Sequence, residues 1–325
     1  MKKLVLVPFI ILGLFLLGAC GDEKSEAKKT PESTKKELKT VVDNQKEDKV
    51  ASFNYTPKKP VNGTLKGVVE LGASGFNSFI VKVDKDSNYE VISKEFGNSL
   101  ILEGMTNVNE VSKKLKNYIQ SIIEYGVKSE DIHFVVSSGA KISDTSKIII
   151  NQLKTIGYVV NEVTAEEEGI YALKAVLPNN FKSIAYVVDI GSGNTKISYY
   201  QGKEIVGENS YGSKYFQNNI PDSTVSKEIK SIAAHIPKGK KSLCFIIGGV
   251  PYNMAKALRT DKNRFTMLTP DVSRYDDVVK RKGKKVASGL TIFKAIAEET
   301  GCKRFVFDWD ANFTIGFLLA LNENE

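Results

Sequence analysis

The chain has 325 residues, 42% hydrophobic and 26% charged, the composition of an ordinary globular protein with room for one large core or two lobes. Its net charge of +8 favours an anionic partner, whether a phosphate compound, nucleic acid or an anionic membrane surface, although free use of lysine gives the same number. The two histidines, His133 and His235, have no ligand spacing between them, which excludes a zinc or haem pattern.

The N-terminus reads "MKKLVLVPFIILGLFLLGAC": two lysines, an apolar run, then small residues before Cys20. This is the layout of a secretory leader rather than of a folded element. "LGAC" resembles a bacterial lipobox, and the resemblance implies a signal peptide over residues 1–19, cleavage before Cys20 and diacylglycerol on its sulfur. The mature protein is then expected outside the cytoplasm as a membrane-anchored lipoprotein, facing the periplasm or the cell surface. A plain signal peptide or a short anchor is the other reading. In that compartment Cys244 and Cys302 either pair or stay as buried thiols.

Residues 20–64 are dominated by Lys, Glu, Ser, Thr and Pro with no repeating apolar face, which reads as a disordered tether, with a short helix an option around "KKELKTVVDNQ". The folded part is expected from Leu65. "LKGVVELGASGFNSFIVKVDKDSNYEVISKEFGNSLIL" reads as strand, glycine loop, strand, turn, strand. Val111, Leu115, Ile119 and Ile122 recur at helical spacing, with Gly126 beyond the end. "DIHFVVSSGAK" is a buried strand leading into a small-residue loop, "TSKIIINQLKTIG" a helix and "YVVNEVT" a strand. "AEEEGIYALKAVL" is a helix opened by Thr164 and Glu167 at capping-box spacing. The second half continues with helix "SKEIKSIAAHI", strand–turn–helix "KSLCFIIGGVPYNMAKAL", helix "GLTIFKAIAEETG" and strand–loop–helix "RFVFDWDANFTIGFLLAL". Periods of 2 and 3.6 alternate, so the class is α/β.

An internal repeat organises the chain. "VVELGASGFNSFIVKVD" from Val68 matches "VVDIGSGNTKISYYQG" from Val187: a strand, an acid, an aliphatic, glycine, small residues and a second strand. Two such hairpins facing each other make a phosphate clamp. Glycine lets the backbone approach an anion, successive N–H groups form a concave nest, and the acid holds a divalent cation or a water upon it. The alternative is a pair of tight turns with no ligand.

These segments resemble the exopolyphosphatase/guanosine-pentaphosphate phosphatase (Ppx/GppA) family of the actin/Hsp70/sugar-kinase superfamily. "VVELGASGFNSFIVKVD" is similar to its first phosphate motif, "VVDIGSGNTKISYY" to its second, "VVSSGAK" to its "VATSAVR" segment and "NEVTAEEEGIYALKAV" to its "EEE" segment. The resemblance covers roughly residues 65–325 and implies two ribonuclease-H-like lobes with a cleft between them, residues 65–180 and 181–325. It implies Glu168 as the base that orients an attacking water, and Asp189 and Glu70 around Mg²⁺. It also implies phosphate contacts from Gly72, Ala73, Ser74, Gly75, Gly191, Ser192, Gly193 and Asn194, with Lys141 in place of the family's arginine, and Lys196 is a further phosphate-binding candidate by its own charge.

Departures from the family pattern matter as much. Glu70 stands where the family has Asp, and Lys196 stands where it has a metal-associated Glu. Lysine repels a metal and binds phosphate as a point charge, so Lys196 either stands in for part of the metal's charge or points to solvent from a strand. Glu168 either serves the chemistry or, with Glu166 and Glu167, caps a helix and stabilises its dipole. Tyr252 is a stacking candidate or a core aromatic. "RKGKK" at 281–285 attracts a polyanion or is a solvated loop, and Asp308 and Asp310 form an acidic pair of no assigned use.

The expected function is phosphoanhydride hydrolysis, of polyphosphate rather than a nucleotide given the compartment, which also disfavours a kinase. The alternative is an inactive phosphate- or polyanion-binding scaffold on the same fold. The expected partners are polyphosphate or another phosphate-rich anion, the membrane, and a second copy of the chain.

Overall fold

The computed structural model describes residues 53–72, 75–96, 108–140 and 144–322. The leader, Cys20, most of the tether with its optional helix, and the phosphate candidates Ala73, Ser74 and Lys141 lie outside the described residues.

Strands β1 (Thr64–Gly72), β2 (Gly75–Val83) and β3 (Tyr89–Phe96) form an antiparallel meander. β4 (Ile132–Val136) adds parallel to β1, and β5 (Val160–Glu162) parallel to β4, giving the order β3-β2-β1-β4-β5. The second sheet repeats this plan. β6 (Ala185–Ile190), β7 (Asn194–Gln201) and β8 (Glu204–Tyr211) are its meander. β9 (Leu243–Ile247) and then β11 (Phe305–Asp308) add parallel beyond β6, and β10 (Phe265–Leu268) closes the edge antiparallel to β11. The order is β10-β11-β9-β6-β7-β8, so the sequence repeat is a repeat of topology: the two-sheet α/β fold of actin-like ATPases.

Strand alternation sets the layers. Val69, Phe134 and Val136 face one core with helices α1 (Val108–Glu124) and α2 (Asp144–Thr155), which bury Leu115, Ile119, Ile149 and Leu153. Their neighbours Val68 and Val135 point to the other face. There they share a core with Leu173 of α3 (Ala165–Val176), Phe317 and Leu318 of α8 (Phe313–Asn322), and Val187 and Phe245 of the second sheet. The outer face of that sheet, with Tyr186, Val188 and Ile246, is covered by α4 (Asp222–Ala234), α5 (Gly249–Leu258) and α7 (Lys284–Thr300), with the short α6 (Asp276–Lys282) alongside. Helices α3 and α8 thus lie between the sheets. α8 follows the last strand of the second sheet, yet its Asn322 Nδ2 donates to Asp84 O at the end of β2, 3.0 Å away.

The tether expectation is corrected at its C-terminal end. Residues 53–64 are part of the fold, because Phe53 and Tyr55 supply aromatic surface that the Lys- and Pro-rich context masks. The Phe53 ring lies 5.5, 5.6 and 5.3 Å from those of Phe181, Phe245 and Phe265. Lys59 then reaches Glu90 on β3 at 3.4 Å, and Val61 N donates to Asp84 Oδ2 at 2.9 Å. This segment therefore straps the second sheet to the first. Cys244 and Cys302 are buried free thiols, both pushed up by burial.

Candidate functional site

The two acids of the repeat reach one cavity of about 400 Å³, to which both sheets contribute. In each hairpin the acid sits opposite the residue seven positions on: Glu70 pairs with Asn77 across β1–β2, and Asp189 with Lys196 across β6–β7. Asn77 Nδ2 donates to Glu70 Oε2 at 2.8 Å, and Asn312 Nδ2, from the loop before α8, donates to the same oxygen at 3.3 Å. Burial, reinforced by the neighbouring Glu168 and Asp189 carboxylates, pushes Glu70 up to about 7 against these hydrogen bonds.

Lys196 is 4% exposed, Glu168 1% and Asp189 7%, so the solvent-facing reading of Lys196 is overturned. The reason is register: β7 turns Lys196 onto the face covered by α3, where Gly169 leaves room for its stem. Its ammonium forms an ion pair with Glu168 Oε2 and lies 3.4 Å from Asp189 Oδ2. Burial alone would lower the Lys196 pKa, but the Asp189 and Glu168 carboxylates outweigh it and hold the group above its ordinary value. The other Glu168 oxygen accepts from the backbone N–H of Ser138, in the loop after β4. Glu166, Glu167 and Glu168 do open α3, but the helix cap belongs to Glu167: Thr164 N donates to Glu167 Oε2 at 2.7 Å, and Glu167 N to Thr164 Oγ1 at 3.2 Å. Glu168 is thereby left to the cleft.

The turn 191–194 is braced from behind. The carbonyls of Gly191, Ser192 and Gly193 accept from Ser213 N, Lys214 N and Gly212 N at 2.9, 3.0 and 3.2 Å. Asn194 Nδ2 crosses to Ser138 Oγ at 3.0 Å, joining the turn to the first sheet. Gly72, Gly191, Ser192, Gly193 and Asn194 all line the cavity. Gly248, at φ +107°, lies so close to β6 that a Cβ there would sit 2.4 Å from Ile190 O and 2.7 Å from Asp189 Oδ1. The remaining wall is aromatic: Tyr252 packs 5.4 Å from Trp309 and 6.1 Å from Phe96 across the cleft, and all three line it.

Sequence reasoning missed Lys285 as a cleft residue. The "RKGKK" run is the junction of α6 and α7 rather than a loop, and it places Lys285 on the cavity wall, where burial and then Lys214 lower its pKa. Asp308 and Asp310 take different cations, although Asp310 N also donates to Asp308 Oδ1 at 2.9 Å. Asp308 takes both oxygens to Arg264 at 2.9 Å, and Asp310 pairs with Lys94 of β3 at 2.7 Å.

A divalent cation does not fit this donor set. Asp189 and Glu168 share the Lys196 ammonium, and among the described residues no group of three His, Cys, Asp or Glu side chains converges to hold a metal ion. Where the resemblance implies Mg²⁺ held by Asp189 and Glu70, the cation beside Asp189 is the Lys196 side chain.

The fold is the two-lobed actin-like one, and solved structures of Ppx/GppA proteins share it. The chain is similar to the Ppx/GppA family member of Aquifex aeolicus at 18% identity and a TM-score of 0.61, over 81% of this chain and 99% of that one. It is similar to an exopolyphosphatase from Cytophaga hutchinsonii at 13% identity and a TM-score of 0.58, over 80% and 98% of the two chains. An exopolyphosphatase-like protein matches at 14% identity and a TM-score of 0.58, over 81% and 99%. No family model matches the sequence, and no curated protein matches it.

Proposed function

We propose that this chain is a phosphate-ligand-binding protein on a Ppx/GppA-like fold whose cleft carries a built-in cation, Lys196, in place of a metal ion. The observation that carries the reading is the buried contact of Lys196 with both Glu168 and Asp189. A carboxylate that orients water for attack on a phosphoryl group does so best with its lone pairs uncommitted and a mobile charge nearby to stabilise the leaving phosphate. Here one oxygen of Glu168 holds the ammonium and the other holds Ser138 N–H. Binding groups remain: the turn 191–194, Lys285 on the wall, and the aromatic side formed by Phe96, Tyr252 and Trp309. The cleft takes a small phosphate-bearing ligand and does not hydrolyse it in a metal-dependent way.

A second reading, phosphoanhydride hydrolysis of polyphosphate, is favoured by the position of Glu168 at the cleft and by the likeness to the exopolyphosphatase structures. Phosphate release from long-chain polyphosphate by the full chain, with and without Mg²⁺ and beside Glu168→Ala, decides between them. The binding reading expects no metal-dependent release, together with calorimetric binding of pyrophosphate that Lys285→Ala weakens. Mg²⁺-dependent release abolished by Glu168→Ala establishes the hydrolase instead.

The setting is part of the proposal. The leader and Cys20 support a lipid-anchored protein on the outer side of a bacterial membrane. Incorporation of labelled palmitate that survives in Cys20→Ser would remove that part and leave the cleft reading intact.

A further inference from the structure

A second cavity is larger than the cleft. It measures about 850 Å³ and is bounded by the N-terminal strap, the β2–β3 turn, the end of α3 and the crossover to the second sheet. Its charge is the reverse of the cleft's. The cleft wall carries Glu70, Glu168, Asp189 and Asp308 against Lys196 and Lys285. The larger cavity carries Lys58, Lys174, Lys182 and Arg264 against Asp86. A long, highly charged anion is drawn more strongly by the second arrangement than by the first, the more so because the wall is concave and focuses the field.

The wall is also held in place. Arg264 is fixed by its two-pronged pair with Asp308 and a hydrogen bond to Tyr89 Oη, and its guanidinium lies 4.8 Å over the Tyr89 ring. Lys182 Nζ lies 4.6 Å over the ring of Tyr200. Tyr55 and Lys58 arrive on the strap, which the aromatic contacts of Phe53 and the Asp84–Val61 hydrogen bond fasten at its two ends. We propose that this basic cavity is a second ligand site that takes a phosphate-rich anion, with exposed Lys58 and half-buried Lys182 as its contacts and Arg264 as its rigid back wall. Arg264 and Asp308 form the partition between the two sites, one lining the cavity and the other the cleft.

The test is calorimetric titration of the full chain with tripolyphosphate, and flotation with phosphatidylglycerol vesicles to separate a soluble source of phosphate from a lipid headgroup. Lys58→Ala combined with Lys182→Ala is expected to weaken the interaction about tenfold, the loss of two partly exposed charge contacts, while Lys285→Ala in the cleft leaves it unchanged. Binding to tripolyphosphate that the double variant weakens supports a soluble anion. Flotation alone, lost in the double variant, supports a headgroup. Binding that responds only to Lys285→Ala, or no binding to either probe, overturns the proposal. The pyrophosphate titration that reports on the cleft stands separately from this result.

Discussion

Replacing Lys196 by methionine tests whether a side chain has taken the place of a metal. Methionine keeps the stem that packs beside Gly169 and removes only the ammonium. It leaves Glu168 and Asp189, 1% and 7% exposed, without their shared cation and beside Glu70. Removing one partner of a buried ion pair costs about 3–5 kcal/mol, because the remaining charge stays desolvated and uncompensated. Urea unfolding of the variant should therefore show a midpoint shift at unchanged slope, corresponding to a loss in that range. Millimolar Mg²⁺ should restore part of it, since the vacated position then offers carboxylates to a divalent ion: saturation to a hundred times the dissociation constant gives about 2.7 kcal/mol. NaCl at matched ionic strength should not. A loss below about 1 kcal/mol, or equal Mg²⁺ stabilisation of the native chain and the variant, would refute the idea that Lys196 is a resident cation. The native pair has its own pH signature. The Lys196 pKa is raised above 10.5, so its contribution is complete below that pH and is lost only as pH rises through the higher folded value.

Three further outcomes follow from packing. Gly316→Ala would place a Cβ 1.8 Å from Tyr171 O, where α8 crosses α3 between the sheets, and should destabilise by about 2–3 kcal/mol in chemical denaturation. Phe53→Ala should cost about 2 kcal/mol, read as a lowered thermal midpoint, because a half-buried ring leaves the Phe181, Phe245 and Phe265 cluster; no change would mean the strap is not part of the fold. Asp84→Ala should cost about 2–3 kcal/mol, since Asp84 receives the backbone N–H groups of Val61, Asp86 and Asn88 at 2.9, 3.0 and 2.9 Å. Burial alone would raise the Asp84 pKa, but these bonds bring it below 3.8. Its contribution is thus present above pH 3.8 and lost as pH falls through the lower folded value, and acid titration of native and variant stability should converge there.

The hairpin repeat was legible because a hairpin is local: acid, glycine turn and returning strand lie within a dozen residues, and period-2 alternation marks both strands. The capping box of α3 was legible for the same reason. What the sequence hid are the long-range pairings. Nothing local ties Lys196 to Glu168 on another element, and alternation leaves a lysine at a strand start free to face either way. Phe53 and Tyr55 stand among lysines and prolines, and only the rings of Phe181, Phe245 and Phe265, contributed by three separate elements, give them a place. β10 escaped notice because it is four residues long and completes a sheet edge whose other members lie far off in sequence. The return of α8 to the first sheet is likewise invisible from its uniformly apolar sequence, which states that it is buried but not against what.

The near-symmetry of the two hairpins shows how one position decides the character of the cleft. Each acid ends a central strand, and each faces the residue seven places on in the neighbouring strand. On the first sheet that residue is Asn77, an amide that donates a hydrogen bond but carries no charge, and the acid's pKa rises to about 7. On the second it is Lys196, which supplies a full positive charge to Asp189 and to Glu168 together. A bound metal ion would come and go with its concentration. A lysine is a permanent charge, and its pair with Glu168 joins the lobes alongside Asn312 to Glu70, Asn194 to Ser138, and Lys94 to Asp310. Those contacts all cross from one lobe to the other at the cleft. They hold the two sides of the cleft together through the chain's own side chains.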